Sequence, residues 1–291
     1  MIAIVTETLC CMNEEDCAAY GVSTIPLSCH VGRHVSADTI ITEERPIPDG
    51  EGYSVPPSEE AYAARFAELL TTHDGVLCIT ASRKFSDSNR NASMAALPFG
   101  GRVVVIDSGA VAGGLFLLVL RARHMVTLGH PMSRIKAELE SYKNTLKITF
   151  TTASLRVLQS ANKLVYKPPA EGAPTDRRPI FSIENGSIGV TDFTEDDGPQ
   201  ARATVAALLA GLEDSRGGKR TLSDVVSAEG DLRRRRGPSH VVVHYADRTR
   251  AVEYLLHRLQ ETYPTATIYE RPITLSIQLN LGHSILGVIG D

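Results

Sequence analysis

At 291 residues, 43% of them hydrophobic, the chain can bury a substantial core and is long enough that two domains are expected rather than one. A net charge of −4 and a pI near 6.2 create no overall positive field, which argues against nucleic acid and anionic membranes as partners. The longest apolar stretch, 109–120, meets Arg121 and Arg123 after 12 residues, too few to span a bilayer, and five cysteines without a CxxC pair read as packed, reduced thiols rather than disulfides or a zinc site.

IAIVTET at 2–8 reads as a buried strand, without the basic start and longer apolar core of a signal peptide, so a cytoplasmic location is expected. NEEDCAAYG at 13–21 reads as a helix that Asn13 caps and Gly21 ends. STIPLSCHV and RHVSADTII flank Gly32 as the arms of a hairpin. A helix at 57–75, with Pro57 or Ser58 at its start, leads into the strand GVLCITA. SRKFSDSNRNASMAAL then runs from a polar loop into a helix, followed by the strand RVVVIDS at 102–108 and helices at 111–128 and 133–144. This β-α-β-α succession predicts a mainly parallel sheet flanked by helices, in an N-terminal lobe of residues 1–150.

Residues 151–291 read as an α+β lobe. After KITFTTASLRVLQSANKL, a strand and a helix, the prolines of YKPPAEGAPTDRRP enforce a loop. In RPIFSIENGSIGVTDF two alternating runs meet at Asn185 and Gly186, the favoured pair of a type I′ hairpin turn. A helix at 200–215, a polar region with the basic run Arg233–Arg236, the strand HVVVHYA, the helix RTRAVEYLLHRLQETYP, the strand ATIYERPI and a final apolar run complete the chain. The fold expected is therefore α/β in two lobes with a ligand cleft between them.

Catalytic motifs fail on inspection. GHSIL at 282–286 lacks the closing glycine of a nucleophile elbow and has no downstream triad partners; GAVAGG at 109–114 is not GxGxxG, and no GxxxxGK[ST] occurs. His30 and His34 lie about 13 Å apart on an extended strand, so no metal site is expected unless a turn joins them. Asp107, at a strand end, reads as a helix cap before it reads as a general base. No catalytic residue and no cofactor is expected. The carboxyl ends of the strands instead gather hydroxyls: Thr6 with Thr8, Ser82 with Ser86 and Ser88, and Ser108. At the start of a helix, such hydroxyls and free backbone N–H groups make a carboxylate or phosphate site, with Ser86 to Asn89 the best placed; ordinary capping by Ser86 or Ser88 is the competing reading.

Several segments taken in order also resemble the DegV family of bacterial fatty-acid-binding proteins. IAIVTETLC at 2–10 resembles that family's IAIVTDST opening, YGVSTIPLSCHVGRHVSAD its hairpin region, and ITASRKFSDSNRNA at 79–92 its ITISSKLSGTYQSA. VVVIDSGAVAGG at 103–114, RRPIFSIENGSI at 178–189 and SILGVIGD at 284–291 have counterparts in the same order. The resemblance implies a long-chain fatty acid laid between two lobes, its tail in an apolar tunnel and its carboxylate at polar loops, and a separate kinase partner that phosphorylates the carboxylate. By that resemblance Ser54, Ser82, Ser86, Ser88 and Asn280 hold the carboxylate end, and Thr6, Tyr53, Ser108 and Gly113 lie around it. The chain also departs from the family: Tyr53 replaces a threonine, Asp87 a glycine, Ser88 a threonine, and Asn280 the carboxylate-binding histidine, while ANKL and the proline-rich stretch replace a GGRI turn. A lipid binder without enzymatic activity is the leading reading; an enzyme acting on a small carboxylated or phosphorylated substrate through Asp107 or Asp87 is the alternative.

Overall fold

A computed structural model describes residues 1–41, 52–152, 177–195, 201–213, 237–282 and 284–291. The helix expected beyond Thr152, most of the proline-rich loop and the Arg233–Arg236 run lie outside the described residues. The chain divides into two compact units, one of Met1–Leu146 with Pro272–Leu281, the other of Lys147–Arg271 with Gly282–Asp291.

The first unit is built on a sheet of order β2-β1-β6-β7, from β1 (Ile2–Glu7), β2 (Val22–Ile25), β6 (Gly75–Thr80) and β7 (Val103–Asp107), and every pairing in it is parallel. Burial on both faces explains why the two central strands, β1 and β6, read as continuous apolar runs. Ala3 and Val5 of β1, with Val76 and Cys78 of β6, pack against Tyr62 and Phe66 of α2 (Glu59–Leu69) and Ala92 and Ala95 of α3 (Ser88–Ala96). α4 (Gly113–Thr127) packs on β1 and β6, and its Leu115 to Val119 are all buried, so the apolar stretch seen in the sequence is core of this unit. α1 (Glu14–Tyr20) has the expected ends: Asn13 and Asp16 close a capping box, and Gly21 takes φ 58°, a left-handed conformation that glycine adopts without a Cβ clash. α5 (Met132–Tyr142) packs on α4 and β7.

The run STIPLSCHV is not one hairpin arm. It breaks at Pro26, which has no N–H for a ladder; β2 ends at Ile25 in the parallel sheet, and β3 (Ser28–Val31) starts a separate antiparallel sheet of order β4-β3-β5 with β4 (His34–Ala37) and β5 (Gly52–Val55). Helix α8 (Leu275–Leu281), within the apolar run near the end of the chain, packs on β3 and β5. The approach is close: a Cβ on Gly52 would stand 2.6 Å from both the His30 carbonyl oxygen and Leu279 Cδ2.

The second unit carries a six-stranded sheet of order β10-β9-β8-β13-β11-β12, from β8 (Lys147–Thr151), β9 (Arg178–Glu184), β10 (Ser187–Thr194), β11 (His240–Tyr245), β12 (Thr267–Pro272) and β13 (Leu286–Gly290). Pairing is antiparallel from β10 through to β11. Asn185 and Gly186 take φ 50° and 72°, as a type I′ turn requires, and join β9 to β10. Helices α6 (Arg202–Ala210) and α7 (Arg250–Thr262) complete the core, with Val205, Leu208, Leu255 and Leu259 against Val241, Val243 and Val288.

Candidate ligand-binding site

The polar residues of the first unit gather where the strands of the parallel sheet end. At the end of β1, Glu7 is fully buried: Oε1 accepts the Ala81 N–H at 2.5 Å, and Oε2 accepts the hydroxyl of Ser88 at the start of α3. Ser88 Oγ lies 2.9 Å from Ser86 Oγ, which also accepts the Ser88 N–H at 3.2 Å. Burial pushes the Glu7 carboxyl up to about 7; the hydrogen bonds from Ser88 and Ala81 pull against it, and the Asp38 charge adds to the rise.

From the next residue the network runs the other way. Thr8 Oγ1 donates to Asp38 Oδ2 at 2.7 Å, and Asp38, buried beyond β4, accepts the Ser276 N–H at 2.8 Å and the Ser276 hydroxyl at 2.9 Å. Asp38 thus holds the first turn of α8, where backbone N–H groups have no intrahelical partner. One turn on, Asn280 Nδ2 donates to the Ser276 carbonyl at 2.7 Å and to Ser54 Oγ on β5 at 2.9 Å. Ser86, Ser88, Asn280 and Ser54 are therefore members of one connected set that passes through the Glu7–Thr8 segment and Asp38. Asn280 spends its amide hydrogens inside the protein and orients Ser54, whose own hydroxyl proton is left to be donated elsewhere.

Other residues singled out in the sequence are placed differently. The Thr6 hydroxyl donates to the Ile79 carbonyl at 2.8 Å, and Ser108 exchanges hydrogen bonds with the Ala110 backbone, at 2.9 Å as donor and 3.1 Å as acceptor. Ser82 Oγ accepts the Lys84 N–H at 3.3 Å and stays within its own turn. Gly113 is buried at the start of α4. Tyr53 is 60% exposed and stacks on His30 with ring centroids 4.6 Å apart. The β3–β4 register pairs Val31 with His34 and His30 with Val35, which puts the two histidines on opposite faces, where they cannot share a metal ion. Asp107 does not cap a helix; its carboxylate accepts the Gly109 N–H at 2.9 Å and faces the Arg83 guanidinium at 3.4 Å. Asp87 is exposed, and its side chain makes no cap bond to α3. A separate cavity of about 670 Å³ opens beside the amino ends of β1 and β2, lined by Met1, Gly21, His73, Arg123 and His130, and none of the hydroxyl set reaches it.

Glu7, Asp38 and Ser276 were not singled out in the sequence. An acid ending a buried strand was the one available signal for Glu7. Asp38 and Ser276 are 238 positions apart and gave none.

An all-parallel sheet with helices packed on it and polar groups collected past its carboxyl ends defines an α/β protein whose candidate ligand site lies at that edge. The chain belongs to the DegV family: the model of that family, described as an uncharacterised protein family, matches residues 1–188. A DegV domain-containing protein of Deinococcus radiodurans is 30% identical over 193 residues, covering 64% of this chain and 69% of the relative. A DegV family protein of Thermus thermophilus, described for its fatty-acid binding, superimposes with a TM-score of 0.79 at 20% identity over 99% of this chain and 98% of that one. A stearic-acid-binding protein of Eubacterium ventriosum gives 0.79 at 20% identity, covering 100% and 98%. DegV of Bacillus subtilis, described as a fatty acid binding protein, gives 0.75 at 19% identity, covering 99% and 98%. These likenesses show the two-unit fold; no helix among the described residues is long and apolar enough to cross a membrane.

Proposed function

We propose that this protein binds a long-chain fatty acid, meets its carboxylate with the hydroxyls of Ser86 and Ser54, and breaks no bond of its own. The observation that carries this reading is the connected hydroxyl set at the sheet edge, in a chain that shares its fold end to end with proteins described as holding fatty acids. Magnitudes agree with it. Burying roughly 15 methylenes at about 0.8 kcal/mol each contributes on the order of 10 kcal/mol before the entropy cost of binding, whereas a lost charge-assisted hydrogen bond costs about 1.5 to 3 kcal/mol. Substitutions at the headgroup therefore weaken binding without abolishing it. The catalytic alternative through Asp107 gains nothing, because that carboxylate is engaged by Arg83 and the Gly109 N–H.

Native mass spectrometry of freshly purified protein is expected to show one acyl chain that is lost on denaturation, and Ser86→Ala and Ser54→Ala are each expected to lower fatty-acid affinity by roughly tenfold. Copurification of polar metabolites alone would count against the reading. The family resemblance extends the proposal to a separate kinase that receives the carboxylate. Asn280 carries no positive charge, and Asp87 adds a negative one beside Ser86, so presentation suffers more than affinity. Asn280→His with Asp87→Gly is expected to raise acyl-phosphate formation in a coupled kinase assay by a larger factor than it changes affinity in a binding titration; vigorous turnover with the unaltered protein would show that neither residue limits presentation.

A further inference from the structure

Glu7 is fully buried, yet it is wired to Ser86, the hydroxyl that the proposed reading gives to the headgroup. The wiring is a row of oxygens: Glu7 Oε2, Ser88 Oγ and Ser86 Oγ. Each serine has one hydroxyl proton to place. When Glu7 is ionised, Ser88 must give its proton to the carboxylate, so the proton between the two serines is the one from Ser86. Ser86 then shows a ligand only lone pairs, and a carboxylate arriving there is repelled. When Glu7 is protonated, Oε1 still accepts from Ala81, and the acid proton on Oε2 passes to Ser88 Oγ as a hydrogen bond. Ser88 then donates to Ser86, and the Ser86 proton points outward as a donor.

We infer that Glu7 is a positioning residue that sets the donor direction of Ser86, so that an anionic headgroup binds with Glu7 protonated and draws a proton from solvent wherever Glu7 was ionised, while an uncharged headgroup binds without it. The inference rests on the reading that Ser86 meets the headgroup. The titratable groups that act on or feel Glu7 are Asp38, Cys10 in the turn after β1, Tyr62 on α2 and Cys78 on β6. Burial raises both thiols and the phenol, so they stay neutral around neutral pH, and Asp38 opposes ionisation of Glu7. With its carboxyl at about 7, Glu7 is half protonated at neutral pH, in position to be pulled either way.

The test uses the delipidated full chain with decanoate and decanol, an anion and its uncharged counterpart, titrated calorimetrically in buffers of differing ionisation enthalpy. Decanoate affinity is expected to fall about fifteen-fold between roughly pH 7 and pH 8.5, as the fraction with protonated Glu7 falls, with net proton uptake on binding; decanol affinity stays level. In Glu7→Gln the amide carbonyl takes the Ala81 N–H and the amide N–H₂ donates to Ser88, reproducing the protonated acid, so decanoate affinity becomes independent of pH and proton uptake disappears. Ser88→Ala cuts the relay and also removes the pH dependence, which keeps the test open if Glu7→Gln does not fold. A flat profile in the unaltered protein, or the same slope in both variants, overturns the role of Glu7 while leaving headgroup binding at Ser86 intact. Failure of the unaltered protein to bind decanoate at any pH while decanol binds overturns that headgroup reading and this inference together.

Discussion

Asp38→Ala is expected to destabilise the protein by about 3 kcal/mol, since truncating a buried acceptor strands its donors without water. Asp38 is 2% exposed and takes three oxygen- or nitrogen-borne hydrogens, from Thr8 Oγ1, Ser276 N and Ser276 Oγ, with the Cys29 thiol at 3.7 Å besides. Asparagine retains an acceptor for the Ser276 N–H but turns a donor toward the hydroxyls, so Asp38→Asn should cost about half as much. The damage is also directional. α8 is a seven-residue helix, too short to hold itself together, and Asp38 ties down its first turn. Losing that tie loosens Asn280 and, through it, Ser54. Urea denaturation reads the first effect, and a double-mutant cycle of Asp38→Ala with Ser54→Ala in a binding titration reads the second. Additive losses in the cycle would show that Asp38 supports the fold but not the orientation of Ser54.

The second large effect belongs to the other unit and appears with pH. His244 on β11 is buried, donates from Nδ1 to the Arg271 carbonyl at 2.8 Å, and has no partner at Nε2 among the described residues. Burial lowers its pKa to about 4; the hydrogen bond to Arg271 pulls upward, and the Arg271 charge pushes further down. The unfolded chain takes up this proton as pH falls through about 6.5, whereas the folded chain waits until about 4. Stability from this site is thus complete above the unfolded value and is lost as pH falls through that window, on the order of 3 kcal/mol in all. Glu7 has the opposite slope. Its folded form holds a proton up to about 7 that the unfolded form releases near 4.5, so stability is present below that range and lost as pH rises through it. Nearly cancelling slopes are expected in the unaltered protein between about pH 4.5 and 6.5. His244→Asn should expose the slope of Glu7, and Glu7→Gln that of His244, in denaturation curves collected across this range. If both variants followed the unaltered profile, neither burial would govern stability as described.

Elements specified by neighbouring residues were legible without any structure. Asn13, Asp16 and Gly21 bound α1 through contacts that span only that helix, and Asn185 with Gly186 sets the β9–β10 hairpin because few other pairs accept positive φ at both positions. Most of the parallel sheet was legible because β1, β6 and β7 carry apolar runs, whereas β2, with Ser23 and Thr24 at its centre, carries none and read as part of a hairpin. By contrast, nothing local distinguishes Leu275–Leu281 as a helix within an apolar run. Its first turn is held by Asp38, far away in the chain, and its fit against β5 depends on the missing Cβ of Gly52. The division of STIPLSCHV between two sheets likewise follows from which partner strands are present, since alternation looks the same in either sheet.

At the site, the strand-end pattern of the sequence singled out Ser86 and Ser88, and the family resemblance added Ser54 on β5 and Asn280 on α8. Neither could say which way their protons point. That depends on Glu7, whose partners Ala81 and Ser88 are 74 and 81 positions distant, and on Asp38, whose contact with α8 spans 238. A hydrogen bond's direction is a property of the whole connected set of donors and acceptors, and only the tertiary structure assembles that set.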